Sequence, residues 1–196
     1  MVTINPTQIK GAWRQGYVLD YHTISSGLLG YDQFGNPMFD TKRTDVGELL
    51  YRLKYRRDVK ALDPLVEAAV HFVKNWQISF AAVVPVPPTR VRQLQPVFEV
   101  GDRLAGVLNL PILKDFVQTI KKAKELKDVF DFNERIKLLE NAYRVRDQSL
   151  REKAVLLFDD LFRSGATLNA VTRVLYEQGQ CSDVYALALT RTRMIS

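Results

Sequence analysis

VLLFDDLFRSGAT (Val155–Thr167) sets an unbroken apolar run against two adjacent carboxylates, Asp159 and Asp160, and follows them with a short loop holding one glycine. A run this length with nothing polar in it fits a strand buried on both faces, as in a parallel sheet covered by helices. Beyond it, Leu168, Val171, Val174 and Leu175 recur at helical spacing, which predicts a helix from Thr167 to Gln178 stopped by Gly179. Ligands of parallel sheets gather at the carboxyl ends of the strands, where loops leave the sheet and helix N-termini face the crevice. The two acids are expected at such an end. Backbone N–H groups of the loop, with the hydroxyls of Ser164 and Thr167, could surround a phosphate there, Gly165 lacking the Cβ that would block close approach and Arg163 adding charge. Vicinal sugar hydroxyls beside a phosphate suit that pattern. The plainer alternative makes the acids strand-terminating residues that cap nearby N–H groups, with Ser164 and Thr167 as helix N-caps. The joint order of apolar strand, acid pair, small-polar loop and helix favours the site.

Outward from this stretch the same alternation repeats. FAAVVPV reads as a second short buried strand, closed by Pro87 and Pro88 and followed by Thr89, Arg90 and Arg92. Val97–Leu108 reads as a helix, and NAYRV and VYALALT as strands. Upstream, Asp45 is expected to cap a helix over VGELLYRLKYRRD, with Val46, Leu49, Leu50 and Leu53 inward and Arg52, Arg56 and Arg57 on a solvated face. A second helix is expected over about Asp63–Asn75, its His71 facing solvent. Residues 1–45 differ in texture: glycines and Pro37 interrupt aromatic and β-branched residues, which predicts a hairpin-like arm turning at FGNP, with His22 as a strand residue without a chemical role. The expected fold is α/β, a mainly parallel sheet flanked by helices in residues 46–196, preceded by a β-rich arm or hood in residues 1–45.

Composition narrows the chemistry. One cysteine, Cys181, and two histidines exclude a disulfide framework and make a multi-cysteine zinc site or a histidine-based nucleophile a poor fit. The loop after Asp160 lacks the Lys-Ser/Thr pair of a P-loop and the three glycines of a dinucleotide fingerprint, and there is no Gly-x-Ser-x-Gly elbow. A formal charge of +6 favours anionic partners without choosing between nucleic acid and a phosphorylated small molecule. No membrane-spanning run and no secretory h-region are visible, so a cytoplasmic location is expected.

FDDLFRSGAT resembles the phosphoribosyl pyrophosphate (PRPP) signature of type I phosphoribosyltransferases. GELLYRLKYRRD, VVPVPPTRVR, RLAGVLNLP and ERIKLLENAYRV extend the likeness to the ComF-like, amidophosphoribosyltransferase-related branch of that family, in the family's order from Val46 onward. The resemblance implies that Asp159 and Asp160 contact the ribose 2′ and 3′ hydroxyls, and that Arg163, Ser164, Gly165, Ala166 and Thr167 hold the 5′-phosphate. It further implies that Pro87, Pro88, Thr89 and Arg90 bind pyrophosphate and that the stretch with Lys121, Lys122 and Lys124 closes over the reacting centre. A nitrogen nucleophile would displace pyrophosphate from the anomeric carbon, with Mg²⁺ brought in on PRPP rather than held by protein ligands. The sequence also departs from the family pattern. Arg163 replaces the residue that opens the phosphate loop, Leu138 stands three residues after Arg135 where an asparagine is common, and the four-cysteine zinc module of many ComF-like proteins is missing.

Two functions stay open at this level: a phosphoribosyltransferase acting on PRPP and an unidentified nitrogen acceptor, and a PRPP- or nucleotide-binding regulator or competence accessory without turnover. Nucleic acid is the less favoured partner, and a homodimer stays open. Nucleic-acid binding predicts that Arg52, Lys54, Arg56 and Arg57 share one face with Arg191 and Arg193. Catalysis predicts that Arg90, Arg92 and Lys121–Lys124 converge on the aspartates.

Overall fold

A computed structural model describes residues 2–88, 92–120, 139 and 141–193. Its spine is β8 (Ala154–Phe162), which pairs in parallel with β5 (Ala82–Pro85) on one side and with β9 (Asp183–Arg191) on the other. Hydrogen-bonded on both edges and covered on both faces, Val155, Leu156, Leu157 and Phe158 are wholly buried, which is why nothing polar interrupts them. Their side chains alternate: Val155 and Leu157 join one core cluster, Leu156 and Phe158 the other.

The five-stranded sheet runs β1-β2-β9-β8-β5. β2 (Gln15–Tyr21) is parallel to β9, and the two-residue β1 (Thr7–Gln8) closes the edge antiparallel. α1 (Asp45–Arg56), α2 (Leu62–Trp76) and α3 (Pro96–Leu108) share one core cluster, and α4 (Ala166–Glu177) packs on the opposite cluster beside a small antiparallel pair, β6 (Val117–Thr119) with β7 (Tyr143–Val145). The α/β, mainly parallel architecture read from the sequence is the one observed.

Three sequence readings are refined. Residues 1–45 divide: Gln15–Tyr21 belong to the central sheet, because Val18 and Leu19 are wholly buried between its layers. The segment that stands apart is the hairpin of β3 (Thr23–Tyr31) and β4 (Pro37–Arg43), turned where the Asp32 carboxylate accepts from the N–H groups of Phe34 and Asn36. The α1 cap is Thr44, not Asp45: its hydroxyl accepts from the Gly47 N–H at 3.0 Å and donates to the Tyr21 carbonyl at 2.5 Å, tying the helix to the end of β2. Finally, β8 does not end on its acids but continues through them to Phe162.

Gly47 fixes how closely α1 approaches the sheet. A Cβ there would lie 2.1 Å from the His22 carbonyl oxygen. Glycine to alanine inside an exposed helix ordinarily stabilises by about 1 kcal/mol. Here the clash with backbone outweighs that gain, and Gly47→Ala is expected to cost about 1–3 kcal/mol. Urea unfolding should show a lower midpoint with an unchanged slope.

Candidate functional site

The carboxyl ends of β5 and β8 open into a cleft of about 340 Å³. Because β8 alternates, Asp160 shares the face of Leu156 and Phe158, the one covered by α1 to α3. There it meets Lys54 of α1, whose Nζ lies 3.0 Å from Oδ1 and 2.9 Å from Oδ2, with both side chains largely buried. Asp159 turns back on its own strand, where Oδ1 accepts from the Asp160 N–H at 2.8 Å and the carboxylate also accepts from the Leu161 N–H. The capping role of the plainer reading is therefore real for Asp159. Burial first, and the charge of Asp160 second, raise the Asp159 carboxyl to about 7 against the opposing N–H groups and Lys54. His22, hydrogen-bonded from Nδ1 to the Thr190 hydroxyl at 3.3 Å, is held below its usual range by burial and by Arg43 and Lys54.

Across from the acids, the loop Arg163–Gly165 leads into α4. Gly165 occupies the N-cap position at φ +78°, and no side chain caps the helix. Ser164 Oγ is 3.5 Å from the Ala166 nitrogen, a weak contact. The orphan N–H groups of the first turn thus face the cleft, positive end of the helix dipole outward. The glycine is required for a reason other than the one expected: its left-handed backbone, and a Phe162 ring that a Cβ would meet at 2.9 Å.

Pro87, Pro88, Asp159, Asp160, Arg163, Ser164, Gly165, Ala166 and Thr167 all line this one cleft. Thr89 and Arg90 of the pyrophosphate loop and Lys121, Lys122 and Lys124 of the closing loop lie outside the described residues, as do Arg135 and Leu138. Arg92 and Gln95 at the start of α3, Tyr55 of α1 and Leu139 also line the cleft. Lys54 is the residue that sequence reasoning missed, naming it only on the shared face that nucleic-acid binding would predict. Its signal was a cation four residues after Leu50 and seven after Gly47, in register with the apolar stripe of α1. The basic residues of α1 do not form one open face: Arg52 pairs with Asp58 at 2.5 Å, and Lys54 turns into the cleft. Among the described residues, no three His, Cys, Asp or Glu side chains gather to hold a metal ion.

The backbone superposes on adenine phosphoribosyltransferase from Trypanosoma brucei, in its complex with AMP, pyrophosphate and ribose-5-phosphate, with a TM-score of 0.51 over 96% of this chain and 86% of that one, at 13% identity. The chain has the type I phosphoribosyltransferase fold. Within that fold a sequence relative is found: the chain is 27% identical over 148 residues to competence protein ComFC of Bacillus subtilis (strain 168), 74% of this chain and 59% of that protein. The chain therefore spans less than two thirds of the curated relative it matches, and the ComF-like resemblance read from the sequence is borne out. No family model matches the chain. Among the described residues of this phosphoribosyltransferase fold, no helix is long and apolar enough to cross a membrane.

The raised Asp159 has a consequence for stability. Folded, it holds its proton up to about pH 7, whereas an unfolded aspartate releases it near pH 4, so in that window the folded chain binds more protons. Its contribution to stability is greatest below the window and falls as pH rises through it. Relative to Asp159→Asn, which keeps the acceptor oxygen without the titration, the wild type should lose stability between about pH 4.5 and 7.5. Urea midpoints of the two proteins across that range read the difference; a flat difference would place the carboxyl at its ordinary value.

Proposed function

We propose that the chain binds PRPP and transfers its phosphoribosyl group to a nitrogen nucleophile, releasing pyrophosphate. The observation that carries the reading is the single cleft in which an acid pair, an uncapped helix N-terminus and the Pro87–Pro88 turn converge at the carboxyl ends of neighbouring parallel strands. Asp159 and Asp160 accept from the ribose 2′ and 3′ hydroxyls. The first turn of α4, with Arg163, Ser164 and Thr167, receives the 5′-phosphate. Pyrophosphate lies along the turn after β5, at Pro87 and Pro88 and towards Arg92.

In this reaction the nucleophile's lone pair forms the new bond to the anomeric carbon as the bond to pyrophosphate breaks, and the nucleophile's proton leaves to solvent or to a basic group. The acid pair fixes the sugar so that the two bonds are in line. Cationic side chains stabilise the charge that develops on the leaving group. The donor set fits a divalent cation that arrives chelated by PRPP: the acid pair already has Lys54 as its counter-ion, and the described residues supply no carboxylate cage. Mg²⁺ would neutralise charge on the pyrophosphate.

A second reading, PRPP binding without turnover in a competence-related role, is favoured by the likeness to competence protein ComFC. Both readings require the same site. Calorimetry with PRPP and Mg²⁺ should show binding to the wild type and at least about a tenfold loss in Asp159→Asn/Asp160→Asn. Equal affinity in the double variant, or no binding by the wild type, would sink the site assignment. Pyrophosphate release over a panel of nitrogenous bases and amines then separates the two: turnover with any acceptor establishes the transferase, and tight binding with no release establishes the non-catalytic reading.

A further inference from the structure

We propose that Lys54 is the resident counter-cation of the acid pair, a positioning residue that lets two adjacent aspartates accept a sugar carrying several phosphates. The inference rests on the ribose-site reading above and deepens it. Two neighbouring carboxylates suit vicinal hydroxyls but repel every phosphate on the same sugar, and the repulsion grows with the number of phosphates. Among the described residues, Lys54 is the cation that ion-pairs with this acid pair.

The way Lys54 is held supports this role. Thr44 ties the start of α1 to the Tyr21 carbonyl, and Gly47 lets the helix backbone sit directly against the His22 carbonyl. Two turns further on, the same helix face brings Lys54 over the end of β8. Its side chain is 13% exposed and that of Asp160 15% exposed, so the pair is shielded from the screening that weakens surface ion pairs. The ammonium straddles both carboxylate oxygens, at 3.0 and 2.9 Å. Each oxygen keeps a further lone pair, so the ion pair fixes the plane of the Asp160 carboxylate without using up its capacity to accept from a hydroxyl. Arg163, by contrast, is exposed on the phosphate loop. It can answer a phosphate, but it does not neutralise the acids.

The test compares two probes of different charge, ribose 5-phosphate and PRPP with Mg²⁺, by calorimetry on the intact chain. Lys54→Met is expected to weaken ribose 5-phosphate about tenfold and PRPP about a hundredfold, so that the affinity ratio of the two falls about tenfold. A structural lesion would weaken both alike. Lys54→Cys provides a second route, because alkylation with 2-bromoethylamine rebuilds an ammonium of nearly lysine length. The native Cys181 is buried, with its thiol pushed up to about 11, and resists the reagent. Alkylated Lys54→Cys should recover the wild-type ratio, whereas the unalkylated protein should behave as Lys54→Met. An unchanged ratio in Lys54→Met, an equal loss for both probes, or no recovery on alkylation overturns the role of Lys54 while leaving the ribose site standing. Failure of the wild type to bind either probe overturns the ribose-site reading, and this inference with it.

Discussion

β8 is hydrogen-bonded on both edges and covered on both faces, and the rest of the molecule is arranged around that constraint. A strand with no solvated face can carry polar residues only where the covering layers stop. In β8 this happens at Asp159 and Asp160, in its last residues before the loop to α4. β5 ends level with Phe158, just before the acids, while β9 stays paired as far as Phe162, so the turn after β5 and the helix after β8 open into one space beside Asp159 and Asp160. Burial of the strand and location of the cleft are thus one fact seen from two ends.

The same alternation that sorts Leu156 and Leu157 into different core clusters separates the two acids. Asp160 falls to the side of α1 and gains Lys54, while Asp159 is left with backbone N–H groups and its neighbour's charge. Adjacent in sequence, the two carboxylates therefore differ in surroundings: Asp160 is ion-paired with Lys54, and Asp159 has its pKa raised, burial being the largest cause. Nothing in the dipeptide Asp-Asp announces this asymmetry. It comes from the two-residue period of the strand and the unequal cover of the sheet.

Much of the fold was legible because its signals are local. The apolar run of β8, the stripe Leu168, Val171, Val174 and Leu175, and the FGNP turn each report on a few neighbouring residues. The acid pair and the loop after it could be read together because they are contiguous in sequence. What could not be read depends on pairing across the chain. Gln15–Tyr21 carries the glycine and aromatic texture of the hairpin that follows it, yet pairs with a strand some 170 residues later, a partnership that no local pattern specifies. Lys54 lies 106 residues from Asp160, and in the sequence it is one more basic residue among Arg52, Arg56 and Arg57. Its inward position follows from the helix register shared with Gly47 and Leu50 and from the packing of that helix over the end of β8.

The hairpin β3–β4 stands out from the body with both edges unpaired, and its register puts Leu28 and Tyr31 on the same face as Phe39 and Pro37. Leu28, Tyr31 and Phe39 are 54%, 66% and 54% exposed. A straight ribbon of this kind would be a template for strand addition by another copy of the chain. The pairing instead slips at Ile24 and again at Leu29, leaving only a short regular run between them, and Asp40 and Lys42 charge the opposing strand. Bulges twist an edge away from flat pairing. Two inserted residues thus let the chain display an apolar ribbon to water while withholding the straight edge on which sheets grow into aggregates.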